Sequence, residues 1–177
     1  MKRLLVLIST VALSAMLVAC GGSSEDKKEN NSGTKVEDTS KGEVSGNFMY
    51  TANDVDIMMH EKADKIIEAL GEETDYFESA SCAFEGLDKI YTYSGFEVLT
   101  YEKDGVDYIA GVTLMDDTVS TTEGVSLFQS KEDMIAAYGE DFKEVEGIYT
   151  YKKGESQISF MIKDGQISQI EYTALHE

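Results

Sequence analysis

Short runs in which apolar and polar residues alternate fill much of the chain after residue 47. A period of two is typical of half-buried β-strands. In order, the runs are KIYTY (89–93), FEVLTYEK (96–103), YIAGVTLM (108–115), GIYTY (147–151), SQISFMIK (156–163) and ISQIEYT (167–173). Glycine-containing turns separate the runs within each half of the chain, and two of these turns are Asp-Gly pairs, a strong hairpin signal. The pattern predicts two antiparallel meanders of three strands each.

A helical pattern precedes each predicted meander. The stretch VDIMMHEKADKIIEALGEE (55–73) aligns without a gap with EGVSLFQSKEDMIAAYGED (123–141), at an offset of 68. In each, a short alternating strand leads into apolar residues spaced i, i+1 and i+4, which form one face of a helix. Ser130 and Asp133 have the spacing of a capping box for the second helix. Gly71 and Gly139 follow the helices, where a C-terminus turns left-handed.

These elements predict an α+β fold of two tandem units that share or pack a sheet, each unit being a helix followed by three antiparallel strands. IYTY occurs in both units, at 90–93 and 148–151, and KDG follows in each. We therefore predict a duplicated domain over residues 47–177, with repeat one at 47–118 and repeat two at 119–177. The first repeat carries extra residues around FESASCAFEG (77–86).

The first twenty residues, MKRLLVLISTVALSAMLVAC, have the pattern of an export signal. Two basic residues precede an apolar run that is too short to span a membrane as a stable helix. The run ends in Leu17-Val18-Ala19-Cys20, which resembles the lipobox of bacterial lipoproteins. That resemblance implies that residues 1–19 are a signal peptide and that Cys20 is acylated. We expect a protein held by lipid on the extracytoplasmic side of the cell membrane. An ordinary secretory signal with an incidental Cys20 is the alternative.

Residues 20–46 contain the lipidated cysteine and a predicted tether. Beyond Cys20 and the glycines, the only apolar residues of this segment are Val36 and Val44. Such a composition cannot bury enough apolar surface to offset the loss of chain entropy. We therefore expect a disordered spacer between the lipid and the folded domain.

The chain is strongly acidic, with a formal net charge of −19. Removal of residues 1–19 takes away Lys2 and Arg3 and no acidic residue, so the predicted mature chain carries −21. This charge argues against nucleic acid or anionic lipid as a binding partner, since both would be repelled. It fits simple solubility, attraction to basic surfaces or loosely bound cations. Because Cys82 is the only cysteine besides Cys20, no disulfide is expected within the domain.

A tandem helix-plus-hairpin domain behind an export signal resembles the fold of β-lactamase inhibitor protein and the small outer-membrane assembly lipoproteins of the SmpA/OmlA type. Within that group, four stretches resemble surface lipoproteins of Gram-positive bacteria: SCAFEGLDKIYTYSGFEVLTY (81–101), Asp116-Asp117, EGVSLFQS (123–130) and YTYKKG (149–154). The resemblance covers residues 47–177. The inhibitor fold implies two disulfides, which this chain cannot form, so neither the inhibitor's activity nor its contact residues are carried over.

Two clusters are candidates for chemistry. Cys82 would be a nucleophile if His60 activated its thiol, but free cysteines are commonly buried, and we favour a buried and unreactive side chain. Asp116, Asp117 and Glu123 place carboxylates in the connector between the repeats, and calcium prefers oxygen ligands. The connector lacks the spacing of an EF-hand loop, so we favour an exposed polar segment. No metal or other cofactor is expected from the motifs present.

The tyrosines of the two IYTY stretches are the main candidates for a binding surface. Tyr91 and Tyr93 share one strand face, as do Tyr149 and Tyr151. If that face is open, the four rings form an amphipathic patch suited to a protein or a glycan. If it faces the helices, the rings belong to the core, and the sequence leaves both arrangements open.

We expect a non-enzymatic binding module with a protein partner. A thiol-dependent surface enzyme that uses Cys82, or an acidic cation-binding protein, is the alternative.

Overall fold

The computed structural model describes residues 46–82 and 86–176. The predictions for the signal peptide, for Cys20 and for the tether up to residue 45 lie outside these residues. The described part contains ten strands and two helices. The strands are β1 (Met49–Ala52), β2 (Val55–Met58), β3 (Asp75–Ala80), β4 (Leu87–Tyr93), β5 (Phe96–Lys103), β6 (Val106–Leu114), β7 (Lys143–Val145), β8 (Ile148–Lys153), β9 (Ser156–Lys163) and β10 (Gln166–Ala174). The helices are α1 (Ala63–Leu70) and α2 (Lys131–Tyr138).

Eight of the strands form one antiparallel sheet in the order β3-β4-β5-β6-β10-β9-β8-β7, and β1 and β2 form a separate hairpin. The four strands that follow α1 make one half of the sheet, and the four that follow α2 make the other. The halves meet where β6 pairs with β10, with Gly111 opposite Thr173 and Val112 opposite Tyr172. Strand order is therefore mirrored about this central junction.

The predicted fold class, α+β with two tandem helix-plus-three-strand units, is wrong. Over the residues that the structure describes, the fold is mostly β, with 52% strand and 12% helix, and each helix is followed by four strands of one large sheet. The six strands indicated by alternation all occur, but the alternation does not indicate β3 or β7. Every residue of these two strands is exposed, so neither has the apolar face by which a strand is recognised. Main-chain pairing with β4 and β8 holds them at the two edges of the sheet.

The helix boundaries follow the signals in the sequence. Asp133 N–H donates to Ser130 Oγ at 3.2 Å, and Ser130 N–H donates to the Asp133 carboxylate at 3.0 Å, which confirms the capping box of α2. Gly71 and Gly139 both have a φ of 84° directly after α1 and α2, a conformation that favours glycine. α1 has no such cap at its start, because the side chain of Lys62 makes no capping hydrogen bond.

The turns that precede the two helices share one conformation. His60 has a φ of 69° and Phe128 a φ of 67°, the left-handed region that non-glycine residues seldom adopt. Their N–H groups donate to the carbonyls of Ile109 at 3.0 Å and Ile167 at 2.9 Å. These bonds tie each turn to the sheet. The stretch before α2 nevertheless contains no strand, whereas β2 precedes α1.

One face of the sheet carries the hydrophobic core, to which the β1–β2 hairpin and both helices contribute. Tyr50 of the hairpin lies against Phe96 and Tyr172, with ring centroids 5.4 and 5.8 Å apart. Ile158 and Phe160 of β9 are fully buried on this side, as the alternation in β9 predicts. We call this the covered face and the opposite side of the sheet the open face.

Candidate functional site

The tyrosines of both IYTY stretches lie on the covered face. Tyr93 is 7% exposed and Tyr151 is 5% exposed, while Tyr91 and Tyr149 are partly buried against the same core. Burial raises the pKa of the Tyr93 and Tyr151 hydroxyls. Of the two arrangements that the sequence leaves open, the structure has the one in which these rings face the helices. The four rings therefore form no patch on the open face.

The open face has a row of hydrogen-bonding side chains across its centre. Residues directly opposite one another on neighbouring strands share a face. Across β4, β5, β6, β10, β9 and β8, the row consists of Thr92, Glu97, Thr113, Glu171, Ser159 and Thr150. All six are half-buried. The side chains bond to one another in places, such as Thr92 Oγ1 to Glu97 at 3.3 Å and Thr150 to Ser159 at 3.3 Å.

An exposed apolar row lies beside the polar row, near the β7 edge. Val145 pairs with Ile148, and Ile148 pairs with Met161, so the three side chains are neighbours on the open face. They are 52%, 37% and 38% exposed, respectively. We call these three residues the apolar row. An exposed set of apolar side chains within a polar surround is typical of a protein-binding surface.

Two shallow depressions flank the apolar row, each of about 280 Å³. Ile148, Thr150 and Gln157 line both of them, so the two depressions adjoin. Met161 and Glu171 line the first, and Val145, Lys143 and Lys152 line the second. Together they make a groove that is lined by the apolar row and by polar side chains of both charges.

Cys82 is exposed, so the expectation that it is buried is wrong. The structure does not pair the thiol with His60. The Nδ1 atom of His60 lies 3.1 Å from the Tyr101 hydroxyl, and its Nε2 atom lies 3.1 Å from the Glu155 carbonyl oxygen. Both ring nitrogens of the proposed base are thus in contact with groups other than the thiol.

The acidic connector is held by its own hydrogen bonds. Thr118 donates from its N–H to the Asp116 carboxylate at 2.9 Å, and its hydroxyl donates to the same oxygen. Both hydrogen bonds lower the pKa of Asp116, and the one from the Thr118 hydroxyl has the larger effect. Glu123 accepts a hydrogen bond from the Tyr138 hydroxyl. Within residues 46–82 and 86–176, no group of three His, Cys, Asp or Glu side chains is arranged to hold a metal ion.

A cleft of about 560 Å³ lies where the β1–β2 hairpin, the C-terminal end of α1 and the β4–β5 turn come together. Tyr50, Tyr93 and Phe96 line its inner part, and all three are buried. Burial, followed by the negative charge of Asp116, raises the pKa of Tyr50 to about 12. The phenol is therefore protonated at neutral pH. Tyr93 is one of the four candidate tyrosines of the sequence, whereas the cleft beside it is not among the predicted features.

Comparison with known proteins finds no match among protein-family models, curated proteins or solved structures. The resemblance to β-lactamase inhibitor protein and to bacterial surface lipoproteins therefore stays a prediction. Over the described residues, no helix has the length and apolar character needed to cross a bilayer.

Proposed function

We propose that this protein is a lipid-anchored, extracytoplasmic binding module that performs no reaction, and that a protein partner with a basic surface docks on its open face. The observation that carries the proposal is the exposed apolar row of Val145, Ile148 and Met161, set in a groove on that face. Protein interfaces commonly combine such an apolar centre with a polar rim.

The chemistry of the open face supports a protein as the partner. The central row offers hydroxyl and carboxylate groups that can bond to main-chain and side-chain atoms of another protein. Burying the three apolar side chains would release water from about a third to a half of their surface. A few residues near the centre of an interface commonly provide most of its binding free energy.

The charge of the chain supports a partner of opposite sign. With a net charge of −19, the protein attracts basic surfaces over the range of the Debye length, about 8 Å at physiological salt. The groove carries charges of both signs, with Lys143, Lys152 and Glu146 lining one depression and Glu171 lining the other. The net negative charge of the protein therefore attracts a basic partner, while the shape and side chains of the groove determine which partner binds.

The N-terminal sequence supports the location. Leu17-Val18-Ala19-Cys20 follows a short apolar run and two basic residues, and an acylated Cys20 would hold the tether and the domain at a membrane surface. Replacement of Cys20 by Ser should move the protein from the membrane fraction to the soluble extracytoplasmic fraction. A variant that stays in the membrane fraction would remove the lipid anchor from the proposal.

Two substitutions in the apolar row test the docking surface. Ile148→Asp and Met161→Asp each place a charge in the groove, and both residues are partly exposed, so the fold should persist. Phe128→Asp is the matched control, because Phe128 is 59% exposed in the turn before α2 and is not among the residues that line the groove. Each tagged full-length variant is isolated from detergent-solubilised cells, and co-purifying proteins are identified by mass spectrometry at low and high salt.

The proposal predicts one partner that co-purifies with the unaltered protein and with Phe128→Asp. This partner is absent from Ile148→Asp and Met161→Asp, and it dissociates as salt is raised. Circular dichroism checks that all variants are folded. A partner that binds all four proteins equally, or no partner that depends on these positions, would refute docking on the open face.

A further inference from the structure

The second tyrosine of each IYTY stretch has a different environment in the two halves of the sheet. Tyr151 donates its hydroxyl hydrogen to the carbonyl oxygen of Gly139 at 2.8 Å. Tyr93 occupies the same place in its own stretch, yet among the described residues its hydroxyl has no hydrogen-bond partner and is shielded from solvent. A buried hydroxyl that has lost water and gained no partner is unfavourable. A hydrogen bond from the Tyr93 hydroxyl to an additional polar group would therefore be favourable.

The cleft beside Tyr93 exists because two side chains are smaller than their counterparts. In the second half of the sheet, Tyr138 and Phe142 pack on Tyr151, with ring centroids 5.3 and 5.8 Å away. The residues 68 positions earlier are Leu70 and Thr74, and both line the cleft. In the second half, two aromatic rings thus fill the space beside Tyr151. In the first half, the smaller side chains of Leu70 and Thr74 leave a cleft of about 560 Å³ beside Tyr93. That volume lies within the range of small-molecule sites, roughly 300–1,000 Å³.

The lining of the cleft selects the chemistry of a ligand. Its buried lining consists of three aromatic side chains, those of Tyr50, Tyr93 and Phe96, and of Ala52. Its rim is polar and exposed. The rim carries hydroxyls, one amide and one carboxylate, and its side chains include Thr51, Asn53, Glu72, Thr74, Ser94 and Thr118. Among the described residues, no Lys, Arg or His lines the cleft. A site without a cation, in a chain of net charge −19, disfavours phosphates and other anions.

We propose that this cleft is a binding site for a neutral sugar of one or two rings. Sugars combine an apolar C–H surface, which suits an aromatic wall, with many hydroxyls, which suit a rim of hydroxyl, amide and carboxylate groups. The Tyr93 hydroxyl is shielded in the free protein, so its ring shifts towards the cleft in the bound state, where a sugar oxygen accepts the hydrogen bond that the hydroxyl lacks. The site shares no residue with the apolar row and does not depend on protein docking at the open face.

The experiment measures saturation-transfer NMR from the full-length chain, in micelles of a detergent without a sugar headgroup, to cellobiose. Spermidine and inositol hexakisphosphate serve as cationic and anionic probes. Thr74→Phe is designed to fill the cleft with a ring, as Phe142 does in the other half. If this variant fails to fold, Leu70→Tyr, which introduces the residue found at Tyr138, replaces it. Tyr93→Phe removes the free hydroxyl, and Tyr151→Phe is its matched control.

The expected result is transfer to the ring protons of cellobiose with the unaltered protein and with Tyr151→Phe. Transfer to cellobiose is lost with the cleft-filling variant. With Tyr93→Phe, the affinity for cellobiose falls by about fivefold, which is the effect expected for the loss of one hydrogen bond. Absence of transfer to cellobiose, transfer that the cleft-filling variant retains, or transfer to a charged probe alone would overturn the sugar site. Equal affinity of Tyr93→Phe and the unaltered protein would overturn the part assigned to the Tyr93 hydroxyl.

Discussion

His60 and His176, the two histidines of the chain, lie with their ring centroids 5.2 Å apart and their planes at 85°. Tyr101 contacts both rings, at centroid distances of 6.1 and 4.7 Å. The pair joins the turn before α1 to the segment that follows β10. Glu155 belongs to the same cluster, because its carbonyl oxygen accepts a hydrogen bond from the Leu175 N–H at 2.8 Å and lies 3.1 Å from His60 Nε2.

The histidine pair makes stability depend on pH in a defined direction. Burial first, and then the positive charges of His60 and Lys103, lower the pKa of His176. The unfolded chain, with a pKa near 6.5, then binds the proton more readily than the folded chain. The contribution of His176 is therefore full above pH 6.5 and is lost as pH falls towards the lowered pKa. Urea midpoints of the unaltered protein and His176→Gln should converge between pH 7.5 and 5. A constant difference across this range would contradict the account.

The two equivalent tyrosines should respond differently to loss of the hydroxyl. Tyr151→Phe removes the hydrogen bond to Gly139 and should lower the free energy of unfolding by about 0.5–1.5 kcal/mol. Tyr93→Phe removes a hydroxyl without a partner among the described residues, so its free energy of unfolding should stay the same or rise. Urea denaturation of both variants measures the contrast. Equal destabilisation would mean that the Tyr93 hydroxyl is bonded in solution.

The difference in helix capping predicts opposite effects at two matched positions. Ser130→Ala breaks the capping box of α2 and should cost about 1 kcal/mol. Lys62→Ser offers α1 a capping hydroxyl at a residue whose φ of −65° and ψ of 129° already suit an N-cap, and should stabilise the protein by roughly 0.5 kcal/mol. Thermal unfolding checks both signs. Two variants that shift the melting temperature in the same direction would not fit the capping geometry.

Gly111 should resist any side chain, because β6 and β10 approach closely there. A Cβ atom at this position would lie 2.5 Å from the main-chain oxygen of Tyr172. Gly111→Ala must therefore displace backbone at the centre of the sheet, at a cost of about 1–3 kcal/mol. Thr113→Ala on the same strand is the control, since Thr113 is half-buried on the open face, and it should cost less than about 1 kcal/mol. Urea denaturation that ranks the two variants the other way would count against the close approach.

The sequence predicts the elements whose signals are local. The six alternating strands, the capping box at Ser130 and the left-handed glycines after both helices are all present. β3 and β7 escape detection because edge strands with every residue exposed carry no alternation. The side of the sheet that the IYTY tyrosines face could not be assigned, because a strand face depends on what packs against it. Whether the two halves arose by duplication stays a prediction.

The sequence does not predict which residues form the candidate sites, because those residues are brought together by pairing between strands that lie apart in the chain. The apolar row joins β7, β8 and β9, and Val145 lies in a strand that the pattern does not indicate. The cleft, in contrast, has a readable signal. The ungapped alignment of the two helical stretches sets Leu70 against Tyr138, and its next position sets Thr74 against Phe142. Loss of bulk at these two positions indicates a space in the first half.

Docking of a protein on the open face is tested most directly by photocrosslinking on intact cells. A benzophenone amino acid is placed at Met161, within the apolar row, or at Phe128, which is also exposed but lies in the turn before α2. The account predicts a single crosslinked partner for Met161 that is absent for Phe128 and is lost when Ile148→Asp is added. The same crosslinks from both positions, or none from Met161, would contradict it.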